Sequence, residues 1–164
     1  MSRTALVVID MINSYDHPDA DVLVRSAREA VPRIAGLVSR AAEEDVPVVH
    51  VNDNFGSWRS NRDDLVAVAL DGAHPELVEP IRPGPDSLFV VKARHSIFFQ
   101  TPLEYLLSQE GIDRLVLIGQ VTEQCVLYSA LDAHIHADLA EAALRMMEVN
   151  LGADICRAEK VALS

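Results

Sequence analysis

The sequence contains little cysteine and little positive charge. Its two cysteines, Cys125 and Cys156, form no CxxC pair, which argues against a disulfide framework and against a zinc site built from thiolates. Lysine and arginine number 14 against 25 aspartates and glutamates, so the formal net charge is −11. A chain this acidic repels phosphate backbones and anionic lipid surfaces. We therefore expect no nucleic-acid partner and no membrane partner.

Long hydrophobic runs are also missing. No apolar stretch approaches the ~20 residues that a membrane-spanning helix needs. The chain passes from Ser2 and Arg3 directly into an apolar run that ends at Asp10, and this run is too short for the core of a secretion signal. Together with the unpaired cysteines, these features predict a cytoplasmic protein. The chain has 164 residues, 49% of them hydrophobic, which suits a single domain spanning residues 1–164.

Short apolar runs rich in β-branched residues predict four β-strands. Their apolar character is continuous rather than alternating, which is typical of parallel strands buried on both faces of a sheet. The predicted strands cover residues 5–9, 46–51, 88–91 and 115–118.

Helical patterns separate these runs. The predicted helices cover residues 22–44, 102–109, 123–133 and 138–150, while residues 52–85 are rich in glycine and proline and predict turns with short helical pieces. Pro32 is expected to kink or split the first helix. Thr101 and Pro102 predict an N-cap followed by a first helical residue, and Gly111 predicts the end of that helix. Strands that alternate with helices predict an α/β fold with helices on both faces of the sheet.

An acid, a base and a thiol follow three of the predicted strands. Asp10 ends the first strand, Lys92 ends the third, and Cys125 lies in the first turn of the helix after the fourth. The carboxyl ends of parallel strands meet at one edge of the sheet, where ligands bind. There a helix N-terminus and an ammonium group lower the pKa of a thiol, and a carboxylate can accept its proton. Spacing alone leaves two interpretations open, a catalytic trio or ordinary polar strand ends beside an inert cysteine.

Three segments of the chain resemble the isochorismatase-like cysteine hydrolases, in particular their metal-free, amidohydrolase-type members. The segments are residues 5–13, 90–99 and 119–133. The resemblance implies a Rossmann-like, three-layer fold whose mostly parallel sheet has the strand order 3-2-1-4-5. The family's sixth, edge strand has no counterpart here, because about 15 to 20 residues are lacking after Ala133. This shortage is either a true deletion or a segment left out of the sequence.

The same resemblance implies roles for individual residues. Asp10 would be the general base, Lys92 the cation that supports the thiolate and the oxyanion, and Cys125 the nucleophile. A cis peptide bond is expected between Val121 and Thr122. The backbone N–H groups of Thr122 and Cys125 would form an oxyanion hole.

The segment after the second strand argues against a metal and suggests substrate contacts. Residues 51–58 contain no histidine, whereas the metal-dependent, nicotinamidase-like members carry histidines there, so we expect no metal and no other cofactor. Asn54 and Trp58 in this segment, together with Phe98, are candidate substrate-binding residues. Phe98 and Trp58 would offer apolar walls to a small molecule.

The function expected from these residues is hydrolysis of an amide, carbamoyl or ureido C–N bond of a small molecule through a thioester on Cys125. Two alternatives stay open, a vinyl-ether hydrolase of the isochorismatase type and a relative that binds small molecules without turnover. The resemblance also implies a homodimer or a homotetramer. The identity of the substrate depends on the geometry of the loops around the site.

Overall fold

A parallel sheet of four strands forms the centre of the structure, a computed structural model that describes residues 3–18, 20–85 and 87–133. The strands lie in the order β3-β2-β1-β4 and every neighbouring pair is parallel. They are β1 (Thr4–Ile9), β2 (Val48–Asp53), β3 (Leu88–Lys92) and β4 (Arg114–Gly119). The predicted order is confirmed for these four strands. The expected fifth strand, the helix predicted at 138–150 and the shortage of chain after Ala133 fall outside the described residues.

Four α-helices connect or follow the strands. They are α1 (Ala20–Glu43), α2 (Arg62–Leu70), α3 (Leu103–Gln109) and α4 (Leu127–Ala133), with a π-helical turn (Thr122–Val126) directly before α4 and 3₁₀ turns at Pro75–Leu77 and Glu79–Ile81. Within the described ranges, every helix is too short or too polar to cross a lipid bilayer.

Helix boundaries follow the predicted signals closely, with three differences. The helix predicted at 123–133 begins as α4 only at Leu127, because the π-helical turn (Thr122–Val126) takes the place of its first turn. Pro32 lies on the exposed side of α1, and the helix runs through it without a break. Pro102 occupies the N-cap position of α3 rather than its first turn, and the Thr101 hydroxyl accepts a hydrogen bond from the N–H of Leu103 at 3.4 Å. Gly111, with φ +65°, ends the helix as predicted, and its N–H donates to the Ser108 carbonyl at 3.1 Å.

Both faces of the sheet are covered, so the fold has three layers. All six residues of β1 are buried. Ala5, Val7 and Ile9 pack on one face with α3 and with Cys125, whereas Leu6 and Val8 pack on the other face with α1. Since side chains alternate along a strand, two helical layers are needed to bury a strand that is apolar on both faces.

The end of β4 approaches β1 so closely that only glycine fits there. Gly119 has φ +139°, and a Cβ atom at this position would lie 2.1 Å from the Ile9 carbonyl oxygen. The next residue continues the contact, because the Gln120 N–H donates to that same oxygen at 3.1 Å. Gly119 therefore sets the position of the turn that carries Cys125 relative to the end of β1.

We expect Gly119→Ala to lower the free energy of unfolding by about 2 to 4 kcal/mol, because the methyl group would force the strand ends apart and φ is unfavourable for alanine. Urea unfolding followed by circular dichroism measures the change. The matched control is Gly36→Ala inside α1, where nothing lies within 4 Å of the new methyl group; this change should stabilise the protein by about 0.5 to 1 kcal/mol. Equal urea midpoints for the two variants would contradict the conclusion that only glycine fits at position 119.

Candidate active site

Asp10 is held in place by backbone groups at the end of β1. Its φ is +54°, and its N–H donates to the Val51 carbonyl at 3.0 Å. Its carboxylate Oδ1 accepts the N–H of Asp53 at 2.7 Å. These contacts fix the carboxylate with Oδ2 facing Lys92, and the residue is buried.

Lys92 brings a charged amine into the interior at the end of β3. Its side chain is 0% exposed, and Nζ lies 2.8 Å from Asp10 Oδ2 and 3.5 Å from Asp53 Oδ2. The same Nζ lies 3.5 Å from Cys125 Sγ. The three residues predicted to act together therefore converge around one ammonium group, although they come from three distant parts of the sequence.

Cys125 sits in the π-helical turn between β4 and α4. The Val121 carbonyl accepts hydrogen bonds from the N–H groups of Gln124 at 3.1 Å and Val126 at 3.3 Å, which closes this turn. The Ser129 hydroxyl donates to the Cys125 carbonyl and accepts the N–H of Ile97 at 3.1 Å. Ser129 thereby joins the start of α4 to the loop that follows Lys92.

The pKa of the Cys125 thiol is raised, whereas the sequence predicted that it would be lowered. Burial and the neighbouring Asp10 carboxylate raise its pKa to about 12, and the opposing effect of Lys92 is smaller. The expectation counted the ammonium and the helix N-terminus, but it omitted the cost of ionising sulfur in a buried place beside an anion. A proton acceptor is therefore needed before the sulfur can attack.

The two charged partners of the thiol have shifted pKa values as well. Burial raises the pKa of Asp10 above its ordinary value, although the charge of Lys92 and hydrogen bonds to Cys125, Lys92 and Asp53 oppose the shift. Burial lowers the pKa of Lys92, but the charge of Asp10 and its hydrogen bond, with smaller contributions from Cys125 and Asp53, outweigh burial and raise it. A carboxylate with a raised pKa is a better proton acceptor, and a lysine with a raised pKa keeps its charge.

Two polar residues beside the trio were not singled out from the sequence. Asp53 supplies both the N–H that holds Asp10 and a second carboxylate near Lys92. Gln120 is buried, and its side-chain amide donates to the Asp10 carbonyl at 2.7 Å. Both lie at the carboxyl ends of strands, which is the signal that identified Asp10.

The turn before Cys125 differs from the expectation by one residue. The cis peptide bond lies between Gln120 and Val121, not between Val121 and Thr122. Gln120 is still paired with β1 through its N–H, and Val121 already caps the π-helical turn, so the change of direction falls at the earlier bond. Thr122 and Cys125 both belong to this turn, and their role as oxyanion donors stays a prediction.

A cavity of about 470 Å³ opens beside Asp53 and Lys92. Asn54 and Trp58 line it, and Trp58 is 84% exposed. Phe98 does not line it; its ring packs on the core beneath α3, and the next residue, Phe99, faces the cavity instead. The full lining is Asp53, Asn54, Gly56, Ser57, Trp58, Ser60, Val91, Lys92, Ala93, Arg94, Phe99 and Gln100.

On its outer side, Cys125 is close to His95, which follows Lys92 by three residues. His95 Nδ1 lies 4.0 Å from Sγ, and its ring stacks on Tyr128 with the centroids 5.5 Å apart. In the part of the chain that the structure describes, no group of three or more histidine, cysteine or acidic residues is arranged to hold a metal ion.

The fold agrees with comparisons to known proteins. A family model described as an isochorismatase domain matches residues 4–139, so the chain belongs to the isochorismatase family. The isochorismatase family protein YaaI of Bacillus subtilis (strain 168) is 26% identical over 96% of this chain and 95% of its own. Maleamate amidohydrolase of Pseudomonas putida is 29% identical over 82% of this chain and 67% of its own. The crystal structure of N-carbamoylsarcosine amidase from Thermoplasma acidophilum superposes with a TM-score of 0.73 at 25% identity, covering 97% of this chain and 98% of that one.

The pKa of Cys125 generates a prediction about Asp10→Asn. Removing the negative charge removes a cause of the raised pKa, so at pH 8 to 9 the thiolate fraction should rise by about tenfold for each unit that the pKa falls. We expect faster alkylation by iodoacetamide, at least about tenfold at pH 8.

Mass spectrometry of proteins carrying Cys156→Ser isolates the reaction at Cys125. Lys92→Met serves as the opposite control, because removing the cation should slow alkylation further. If Asp10→Asn reacted more slowly than its parent throughout pH 8 to 9, the carboxylate would not be raising the pKa of the thiol.

Proposed function

We propose that the protein hydrolyses the C–N bond of a small amide, carbamoyl or ureido compound through a thioester on Cys125. One observation carries the proposal: the carboxylate of Asp10 and the thiol of Cys125 both lie within 3.5 Å of the ammonium nitrogen of Lys92. The family assignment and the amide-cleaving relatives support it: two relatives described above are named as a maleamate amidohydrolase and an N-carbamoylsarcosine amidase.

Formation of the thioester begins with transfer of the thiol proton from Cys125 to Asp10. The sulfur then attacks the carbonyl carbon of the substrate, and the carbonyl oxygen becomes an oxyanion. The backbone N–H groups of Thr122 and Cys125 are the proposed donors to that oxygen. The C–N bond breaks as Asp10 returns the proton to the departing nitrogen, which leaves as a neutral amine or ammonia.

Release of the acid repeats these roles with water. Asp10, again a carboxylate, accepts a proton from water, and the resulting hydroxide attacks the thioester carbon. The C–S bond breaks, and the proton on Asp10 returns to the sulfur of Cys125. One water molecule is consumed, and the products are a carboxylic or carbamic acid and the amine.

Lys92 keeps its proton throughout the cycle. At 3.5 Å from Sγ, its positive charge stabilises the thiolate each time one forms. Its ion pair with Asp10 at 2.8 Å holds the carboxylate beside the same ammonium group that contacts the sulfur. A neutral side chain at position 92 would supply neither effect.

No observation favours the alternative of a vinyl-ether hydrolase. The thiol of Cys125 lies within the cluster, 3.5 Å from Lys92 Nζ, and not apart from it. Assembly as a homodimer or homotetramer stays a prediction from the family resemblance, and a cytoplasmic location stays a prediction from the sequence.

The proposal is tested with Cys125→Ala on a panel containing maleamate, a ureido acid and simple amides. We expect turnover to fall by at least about 10³-fold, because Asp10 and Lys92 cannot form the thioester without the sulfur of Cys125. Cys156→Ser should retain full activity and serves as the control for loss of a thiol.

Acid-quenched wild-type enzyme should carry an acyl adduct on Cys125 that hydroxylamine removes. Mass spectrometry of the peptide that contains Cys125 detects it. Turnover by Cys125→Ala at the wild-type rate, or rapid hydrolysis without any adduct in single-turnover samples, would contradict the thioester route.

A further inference from the structure

We propose that the substrate carries a carboxylate and that Arg94 binds this carboxylate in the cavity beside Lys92. The inference rests on the proposed function, because it names the substrate class of the same site. It extends the sequence-based expectations, which named Asn54, Trp58 and Phe98 as substrate contacts and did not include Arg94.

Three charged residues, Asp53, Lys92 and Arg94, line the cavity. Lys92 is compensated twice, by Asp10 at 2.8 Å and by Asp53 at 3.5 Å. Arg94 is exposed, and within residues 3–18, 20–85 and 87–133 no hydrogen bond or ion pair engages its guanidinium group. The cavity therefore presents one positive charge without a partner.

The single carboxylate on this wall does not compensate Arg94. Asp53 Oδ1 accepts the N–H of Phe55 at 2.7 Å, and Oδ2 faces Lys92 Nζ. Both of its oxygens are thus occupied by groups other than the arginine. A guanidinium group offers two parallel N–H donors that match a carboxylate, so the chemistry of this free group favours an organic acid.

The net charge of the chain strengthens this argument. With a formal net charge of −11, the molecule as a whole repels anions. An arginine without a partner at the cavity attracts an acidic substrate locally. Arg62, another arginine of this region, is not available in the same way. Its guanidinium pairs with Asp63 at 2.8 Å and donates to the Pro85 carbonyl at 2.8 Å.

Arg94 lies close to the reacting groups along the chain. It follows Lys92 by two residues, so their Cα atoms are at most about 7 Å apart. Lys92 Nζ in turn lies 3.5 Å from the sulfur that would attack the carbonyl group. A cavity of about 470 Å³ holds a small molecule.

The test compares two amides of the same shape, maleamate and the analogue in which a methyl group replaces the carboxylate. For the wild type we expect kcat/KM to favour the acid by about 10- to 100-fold, as one charge-assisted bidentate interaction provides. Arg94→Gln should lose that preference, mainly through a higher KM for the acid, and should hydrolyse the neutral analogue within about threefold of the wild type.

Two further variants separate charge from structure. Arg94→Lys retains the charge without the paired donors and should recover part of the preference. Arg59→Gln removes a nearby arginine that does not line the cavity, and it should leave both substrates unaffected. An equal loss on both amides in Arg94→Gln, or a wild-type enzyme that prefers the neutral amide, would overturn the inference.

Failure of the inference can be told apart from failure of the proposed function. If both amides form acyl adducts on Cys125 and Arg94→Gln changes neither rate, the thioester chemistry stands and carboxylate recognition by Arg94 is wrong. If Cys125→Ala retains turnover, the proposed function fails whatever the preference. Thermal stabilisation by maleate, a dicarboxylate, provides a binding readout without turnover; we expect it in the wild type and not in Arg94→Gln.

Discussion

The ion pair between Asp10 and Lys92 is the interaction on which the rest of the site depends. The Lys92 side chain is 0% exposed and that of Asp10 is 10% exposed, so neither charge is well solvated and each needs the other at 2.8 Å. Removing one partner of such a pair leaves an uncompensated buried charge, at a cost of about 3 to 5 kcal/mol. The pair thus links the carboxyl ends of β1 and β3, and Cys125 lies beside the ammonium group of this pair.

The topology explains why these two charges can meet. In the order β3-β2-β1-β4, β2 separates β3 from β1, and its last residue, Asp53, contacts both charged groups. β4 lies on the other side of β1 and ends at Gly119, where the chain turns towards Cys125. The ends of neighbouring parallel strands therefore place Asp10, Asp53, Lys92 and Cys125 close together. The apolar side chains of the same strands form the core.

The sequence predicted the parts of this arrangement that depend on local pattern. Continuous apolar runs located β1 to β4 within a few residues, and polar residues at strand ends together with the family resemblance named Asp10, Lys92 and Cys125. It did not predict features that depend on the environment of a side chain in the folded protein. The pKa of Cys125 follows from burial beside an anion, and whether Phe98 or Phe99 faces the cavity follows from how an irregular loop packs. Arg94 was overlooked because only the folded structure shows which arginines lack a partner.

The raised pKa of Cys125 and the ion pair are two consequences of one charge balance. Burial raises the pKa of the thiol, and an ionised Asp10 raises it further, because it neutralises much of the field of Lys92 and repels a negative sulfur. When the proton moves from Sγ to Asp10, the carboxylate charge disappears and the ammonium group is free to stabilise the thiolate. The total charge of the three groups is the same before and after, so no new net charge is created in a buried place, where it would be most costly. The titration therefore belongs to the cluster as a whole, and in the proposed reaction the nucleophile is formed by moving a proton within it rather than by losing one to solvent.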